Sequence, residues 1–201
     1  MSAYSRCLRP LLFRFDPEWA HDRAIRAGEV AGAIRPVRKV LEALYGFSDR
    51  RLETEVCGIS FPNPVGLAAG YDKNGRAIEA MAAVGFGHLE IGSVSADPSE
   101  GNPKPRLFRL VQDRAIVVHY GLPNEGAEAV AARLSSRRLP VPLGINIVKT
   151  NRGIEAGPDS DDEIIADYVR SVQALKGPGD YLCLNLSCPN TEMGRDFFAD
   201  P

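Results

Sequence analysis

The chain has 201 residues, 44% of them hydrophobic and 25% charged, with a formal net charge of -2; this balance excludes a disordered or fibrous polymer and makes one globular domain the default. Its 24 basic residues are scattered among 26 acidic ones, so no basic face is available for nucleic acid. Cys7, Cys57, Cys183 and Cys188 form no CxxC pair and no metal-type cluster with His21, His88 and His119, which implies no metal and a reducing, cytoplasmic setting.

The chain opens with Leu8, Leu11, Leu12 and Phe15 at helical spacing beside Arg6, Arg9 and Arg14, a short basic amphipathic segment. No apolar run approaches the ~20 residues of a bilayer span, and the order of a secretory signal is missing. Asp16-Pro17-Glu18 supplies an N-cap with proline at the first helical position, and an Ala-rich stripe of Ala20, Ala24, Ala27, Ala31 and Ile34 continues a second helix. Val37, Val40, Leu41 and Leu44 repeat the spacing up to Gly46. From Leu52 the period falls to two, and Leu52, Thr54 and Val56, a Cys57-Gly58 turn, then Ile59 and Phe61 predict a hairpin.

Units of strand followed by helix come next: Val65 to Ala69 with Arg76 to Val84, His88 to Val94, Val141 to Ile147 with Asp161 to Leu175, and Tyr181 to Leu186. An inserted hairpin, Arg106 to Val111 and Ala115 to His119, and a helix, Gly126 to Leu134, fall between the second and third strands. This rhythm predicts a parallel α/β sheet, either doubly wound or a (β/α)8 barrel. Small and polar residues end every strand (Ala68-Ala69-Gly70, Gly92-Ser93, Asn146, Asn185 with Ser187 and Cys188), and no GxGxxG occurs. Chemistry at all the strand ends favours the (β/α)8 TIM barrel over a dinucleotide-binding sheet. A complete barrel takes roughly 250 residues, so residues 47–201 are expected to form its N-terminal half, apparently truncated, behind a helical segment 1–46.

Two stretches carry candidate chemistry. In Asn63-Pro64-Val65-Gly66-Leu67-Ala68-Ala69-Gly70-Tyr71-Asp72-Lys73-Asn74-Gly75, small residues at a strand end let a flat ring approach the backbone, and Lys73 places a cation at its edge. A tight turn with a solvated lysine explains the same residues. In Leu184-Asn185-Leu186-Ser187-Cys188-Pro189-Asn190-Thr191, alternation turns Asn185 towards the barrel mouth, and the following turn can hold Cys188 and Asn190 over the same cavity. Cys188 is a candidate proton acceptor where cations or dipoles lower its pKa; a small buried thiol beside a proline turn is the alternative, and it is the reading given to Cys57 and Cys183.

These two stretches, with Glu90-Ile91-Gly92-Ser93-Val94, Gly101 to Arg109 and Gly144-Ile145-Asn146-Ile147, stand in the order seen in dihydroorotate dehydrogenases. With the Phe15-Asp16-Pro17-Glu18-Trp19-Ala20-His21 helix, nearly the whole chain resembles the quinone-dependent class. The resemblance implies FMN held by Ala68, Ala69, Gly70, Ser93, Asn146 and Asn185. Lys73 would lie between flavin and substrate, Asn185 and Asn190 would hold the dihydropyrimidine ring, and Cys188 would act as the catalytic base. It further implies oxidation of dihydroorotate to orotate in pyrimidine biosynthesis. The N-terminal helices would rest on the inner face of the cell membrane and admit a membrane quinone.

Two positions depart from the pattern. The quinone-using class has serine where this chain has Cys188, cysteine being the base of the soluble classes. The orotate-binding run Asn-Arg-x-Gly-Phe-Asn is replaced by Val118-His119-Tyr120-Gly121-Leu122-Pro123, followed by Asn124. Alternatives are a related flavoprotein with another substrate, a flavin-binding protein without turnover, and a Cys188-His119 thiol hydrolase that lacks an orienting third group.

Overall fold

The computed structural model describes residues 4–153, 156–157 and 159–186. Tyr4–Leu8 forms a π-helical turn that runs into α1 (Arg9–Leu12). Asp16 then caps α2 (Pro17–Ala33), accepting from the Trp19 amide at 2.8 Å with Pro17 at the first turn, and α3 (Arg35–Tyr45) ends where the Gly46 amide donates to the Glu42 carbonyl. The hairpin of β1 (Thr54–Val56) and β2 (Ile59–Phe61) turns at Cys57 and Gly58, with φ of 52° and 79°.

The Ala-rich stripe of α2 is not the side it buries. Ala24 and Ala27 are exposed and Ile34 is 45% exposed, whereas Glu18, Ile25 and Gly32 are buried. An alanine methyl offers little apolar area to drive burial, while the bare backbone of glycine lets two helices approach. A Cβ on Gly28 would lie 2.8 Å from the Ala77 Cβ, and one on Gly32 3.0 Å from the Ala80 amide nitrogen. The side turned to α4 (Ile78–Ala83) is therefore the glycine side.

The α/β core is a four-stranded parallel sheet of β3 (Gly66–Leu67), β4 (His88–Val94), β7 (Leu143–Ile147) and β8 (Tyr181–Leu184), adjacent in that order. Between β4 and β7 come the antiparallel hairpin β5 (Leu107–Leu110) and β6 (Ala115–Val118), then α5 (Ala127–Leu134). Helix α6 (Asp161–Leu175) leads into β8 and starts with a capping box between Ser160 and Glu163.

Alternation along the strands separates two faces. Leu89, Ile91, Leu143, Ile145 and Ile147 are each at most 6% exposed and join Ile78, Val130, Leu134 and Leu175 in one core. The alternate positions, His88, Glu90, Gly144, Asn146, Tyr181 and Cys183, make a second, polar face with glycines as spacers. A Cβ on Gly144 would sit 2.2 Å from the Tyr181 ring, and one on Gly66 2.0 Å from the His88 imidazole. Both rings lie across backbone that only glycine leaves open.

Candidate functional site

The C-terminal edge of the sheet gathers the predicted ring-binding residues. Gly70 follows β3 with φ of 108°, and a Cβ there would meet nothing within 4 Å. Its amide donates to the Gly92 carbonyl at 2.8 Å, and the Gly92 amide donates to the Asp72 carbonyl at 3.2 Å, which ties this loop to the end of β4. Asp72 is buried and accepts from the Arg76 and Ala77 amides at 3.0 and 2.7 Å, so its carboxylate is committed to the start of α4.

Lys73 donates to the Gly70 carbonyl at 2.9 Å, and its ammonium lies 4.3 Å from the centre of the Tyr120 ring. Burial pushes the Lys73 pKa down, aided by the Arg106 cation and opposed by Glu18 and Asp22.

Three strand ends are joined by side chains. Ser93 Oγ donates to Asn146 Oδ1 at 2.5 Å, and Asn185 Nδ2 donates to Ser93 Oγ at 3.1 Å. Ser93 and Asn146 are 8% and 7% exposed, and the Gly92-Ser93 peptide, within β4 near its C-terminal end, is cis. Beneath them Asn146 Nδ2 donates to Glu90 Oε1 at 2.9 Å.

Beside this edge a cavity of about 730 Å³ opens between α2 and the strand-end loops, lined by His21, Tyr71, Lys73, Arg106, Tyr120 and Pro123 among others. Its closure rests on a buried ion pair. Arg106 Nη2 lies 2.7 Å from Glu18 Oε1, Lys104 Nζ adds a contact at 3.1 Å, and Arg106 Nη1 donates to the carbonyls of Glu100 and Asn102. Burial alone would raise the Glu18 pKa; the hydrogen bonds and charges of Arg106 and Lys104 outweigh it and hold the carboxyl below its ordinary value. His21 meets Tyr71 edge-on at 5.3 Å, and burial with the Lys73 cation pushes its pKa down. Tyr120 is pushed up to about 12 by burial and by the Glu18 and Asp22 carboxylates, so its phenol stays neutral.

Comparison with known proteins supplies the context. Residues 51–201 match the family model described as dihydroorotate dehydrogenase. The chain belongs to the dihydroorotate dehydrogenase family.

A family member from Synechococcus sp. (strain JA-3-3Ab), named dihydroorotate dehydrogenase (quinone), is 45% identical over 197 residues, which are 95% of this chain and 51% of that protein. One of the same name from Acidithiobacillus ferrooxidans is 46% identical over 186 residues, 92% of this chain and 49% of its own length. The chain thus spans about half the length of the curated relatives it matches. Among solved structures, the ligand-free enzyme of Eimeria tenella superposes with a TM-score of 0.70 at 34% identity, covering 88% of this chain and 47% of that one. The same enzyme in complex with ferulenol gives 0.65 at 33% identity, covering 90% and 46%.

Within this family framework, Ala68, Ala69, Gly70, Lys73, Ser93, Asn146 and Asn185 lie at one edge of the sheet, while Cys188 and Asn190 fall outside the described residues. Of the positions that depart from the family pattern, Pro123 and Asn124 line the cavity and Val118, 40% exposed at the end of β6, does not. Asn124 is buried and spent: its amide donates to Ser95 Oγ and the Leu122 carbonyl, and its carbonyl accepts from the Ser95 and Gly126 amides. Sequence reasoning assigned no role to Glu18, Glu90 or Arg106. For Glu90 a signal existed, a carboxylate inside the strand His88–Val94 whose neighbours Leu89 and Ile91 are both core residues.

Among the described residues no helix is long and apolar enough to cross a membrane, and no group of His, Cys, Asp and Glu could hold a metal. At the N-terminus Leu8, Leu11, Leu12 and Phe15 are 38–54% exposed. Of this stripe, Phe15 stacks on the Trp19 ring of α2 with centroids 4.8 Å apart. Arg109 donates to the Phe15 carbonyl at 3.0 Å and lies over the Phe13 ring, so the β5-β6 hairpin holds the segment from below.

Proposed function

We propose that this protein serves the FMN-dependent oxidation of dihydroorotate to orotate, with a membrane quinone as the final electron acceptor, in pyrimidine biosynthesis. The observation that carries the reading is the hydrogen-bonded row Ser93, Asn146 and Asn185 across three strand ends, beside the open backbone at Gly70, in a chain of this family. In this reading the parallel sheet is the first half of a (β/α)8 barrel, residues 47–201 contribute that half, and residues 1–46 form the membrane- and quinone-facing part.

The residues present fit a flavin. A flat ring needs a wall without side chains and polar groups at its rim; Ala68, Ala69 and Gly70 provide the first, and Ser93, Asn146 and Asn185 the second. FMN, when bound, supplies a hydride acceptor that can pass electrons singly to a quinone. Lys73, desolvated and held at the Gly70 carbonyl, sits where it can orient a polar substrate edge. Asn185 and Asn190 bind the dihydropyrimidine ring, and Cys188 Sγ takes the proton from its C5 as hydride leaves C6. The cavity beside α2 suits the quinone headgroup, and the exposed Leu8, Leu11, Leu12 and Phe15 with their flanking arginines suit shallow insertion at an anionic bilayer on the inner face of the cell membrane.

The visible spectrum of the purified gene product tests this. Flavin absorbance that bleaches with dihydroorotate and returns with quinone is the expected result; a colourless protein, or a flavin that dihydroorotate leaves oxidised, rejects it. A second reading keeps flavin and fold but changes the substrate to another cyclic amide. It is favoured by Val118 and Pro123, because Asn124 has no group left to replace the missing amides. Each buried polar group left unpaired costs about 1–3 kcal/mol, so orotate titrated into the oxidised protein would then bind weakly and Val118→Asn would tighten it. Tight binding without gain from that substitution removes the second reading.

A further inference from the structure

Helix α3 is amphipathic, yet its apolar side faces solvent. At about 3.6 residues per turn, Val37, Val40 and Leu44 share one side of the helix and Arg35, Lys39 and Glu42 the opposite one. Val37 is 36% exposed, Val40 56% and Leu44 68%, and no residue of the helix is buried. Contact with the body of the protein is made by a third side, where Arg38 and Leu41 are half-buried.

The helix is nevertheless held in place at both ends. Arg38 Nη1 donates to the Gly32 carbonyl at 2.6 Å, and after α4 the bare backbone of Gly85 admits the Tyr45 carbonyl, which a Cβ there would meet at 2.8 Å. The exposed stripe is therefore a fixed feature. It is continued before α3 by Val30 and Ile34, 61% and 45% exposed, and after it by Phe47, 70% exposed. Soluble monomers rarely leave so long an apolar row open unless something covers it.

The chemistry of the helix selects the cover. A helix that pairs with another helix carries charges beside its apolar seam, and these set partner and direction. In α3 the flanking positions are Pro36, Leu41 and Ala43, and the charges stand on the far side. A bilayer surface needs no such match, only an apolar side below and a charged side level with the headgroups. Arg35, Arg38 and Lys39 against the single acid Glu42 give that charged side the sign that attracts anionic lipid.

We propose that α3 is an in-plane membrane anchor, with Val37, Val40, Leu44 and Phe47 entering the acyl boundary of an anionic bilayer while Arg35 and Lys39 stay among the headgroups. This deepens the membrane-facing part of the reading above by adding a second contact to the Leu8 to Phe15 stripe. Helix α2, with 17 residues about 25 Å long, separates the two contacts. Two weak contacts on one rigid body bind together far more tightly than either does alone.

The test is co-sedimentation of the full gene product with vesicles of phosphatidylethanolamine and phosphatidylglycerol. Val40→Ser, Leu44→Ser and Phe47→Ser combined should weaken binding at least about tenfold, with the thermal midpoint in solution unchanged because all three side chains are exposed. Binding within about twofold of wild type overturns the proposal. Serine at Leu8, Leu11 and Leu12 separates the two contacts: loss of binding there with none in the α3 variant leaves the first contact standing and removes α3. Should the α3 variant fail to fold, Phe47→Trp decides. Its added emission should move to the blue when vesicles are supplied, and emission that lipid leaves unmoved overturns the proposal. A wild type that is dimeric without lipid, and monomeric once the three serines are introduced, assigns the stripe to a second copy of the chain and also overturns it. A protein that takes up no FMN but loses vesicle binding in the α3 variant supports the anchor and rejects the flavin reading alone.

Discussion

Removing the Glu18 carboxylate should detach α2 from the loop before β5. Glu18 and Arg106 have side chains only 11% and 7% exposed, with Arg106 Nη2 at 2.7 Å and Nε at 3.2 Å from the carboxylate. Breaking a buried pair by deleting one partner costs about 3–5 kcal/mol, because the remaining charge stays buried. Arg106 keeps the carbonyls of Glu100 and Asn102 as partners, which places Glu18→Ala near the lower bound, about 3 kcal/mol. Lys104, 63% exposed, adds no more than about 1 kcal/mol.

For a chain of this size that loss lowers the thermal midpoint by roughly 6–12 °C, measurable by circular dichroism. Glu18→Gln should lose less, since its carbonyl still accepts one Arg106 hydrogen. The pH arm has a definite sign. The folded-state pKa of Glu18 lies below its ordinary 4.5, so its contribution is present above that value and lost as pH falls through the folded pKa. Wild type should lose its margin over Glu18→Ala in that acid range. A Glu18→Ala midpoint within about 2 °C of wild type at neutral pH, or a margin that grows on acidification, refutes the argument.

Gly144→Ala should destabilise the fold by about 1–3 kcal/mol, because the new methyl would lie 2.2 Å from the Tyr181 ring; denaturant unfolding reads the loss, and an unchanged midpoint contradicts the ring's placement. Cys188→Ala should leave FMN bound while slowing flavin reduction by dihydroorotate at least about a hundredfold, as expected for a missing general base; reduction at the wild-type rate in stopped flow makes the thiol structural. Deleting the first 45 residues should separate flavin reduction, which persists, from quinone reduction, which fails. Unchanged quinone turnover in that truncation sinks the assignment of the N-terminal segment.

Local signals were legible wherever a residue acts on its own neighbours. The Asp16-Pro17 start is written within a few residues, and α2 begins where that signal lies. The 7-residue strand β4 and the inserted hairpin were equally readable from apolar runs and turn residues. The buried side of α2 was not legible because a glycine's contribution is an absence: spacing arguments count apolar side chains, and Gly28 and Gly32 have none. At the site, Ser93, Asn146 and Asn185 could be picked out because small polar residues at strand ends are unusual in an apolar context. Their joining by hydrogen bonds, and the Asn146-Glu90 bond beneath them, depended on strand register between residues 53 and 56 positions apart. The Glu18-Arg106 pair, 88 positions apart, has no local signature in either partner.

The strand order β3-β4-β7-β8 also bears on how the chain is made. During synthesis each new strand emerges to find its sheet partner already present, and none must wait for a strand still to come. The sheet can therefore grow one strand at a time from the N-terminal side, with short-range contacts formed early. The first residues of the chain are the exception: α2 can pack on α4 early, but the Phe15 carbonyl has no Arg109 to hold it until β5 has been added. On a ribosome the apolar N-terminal segment would thus stay unanchored until the β5-β6 hairpin is complete, and a bilayer surface or a chaperone could engage it during that interval.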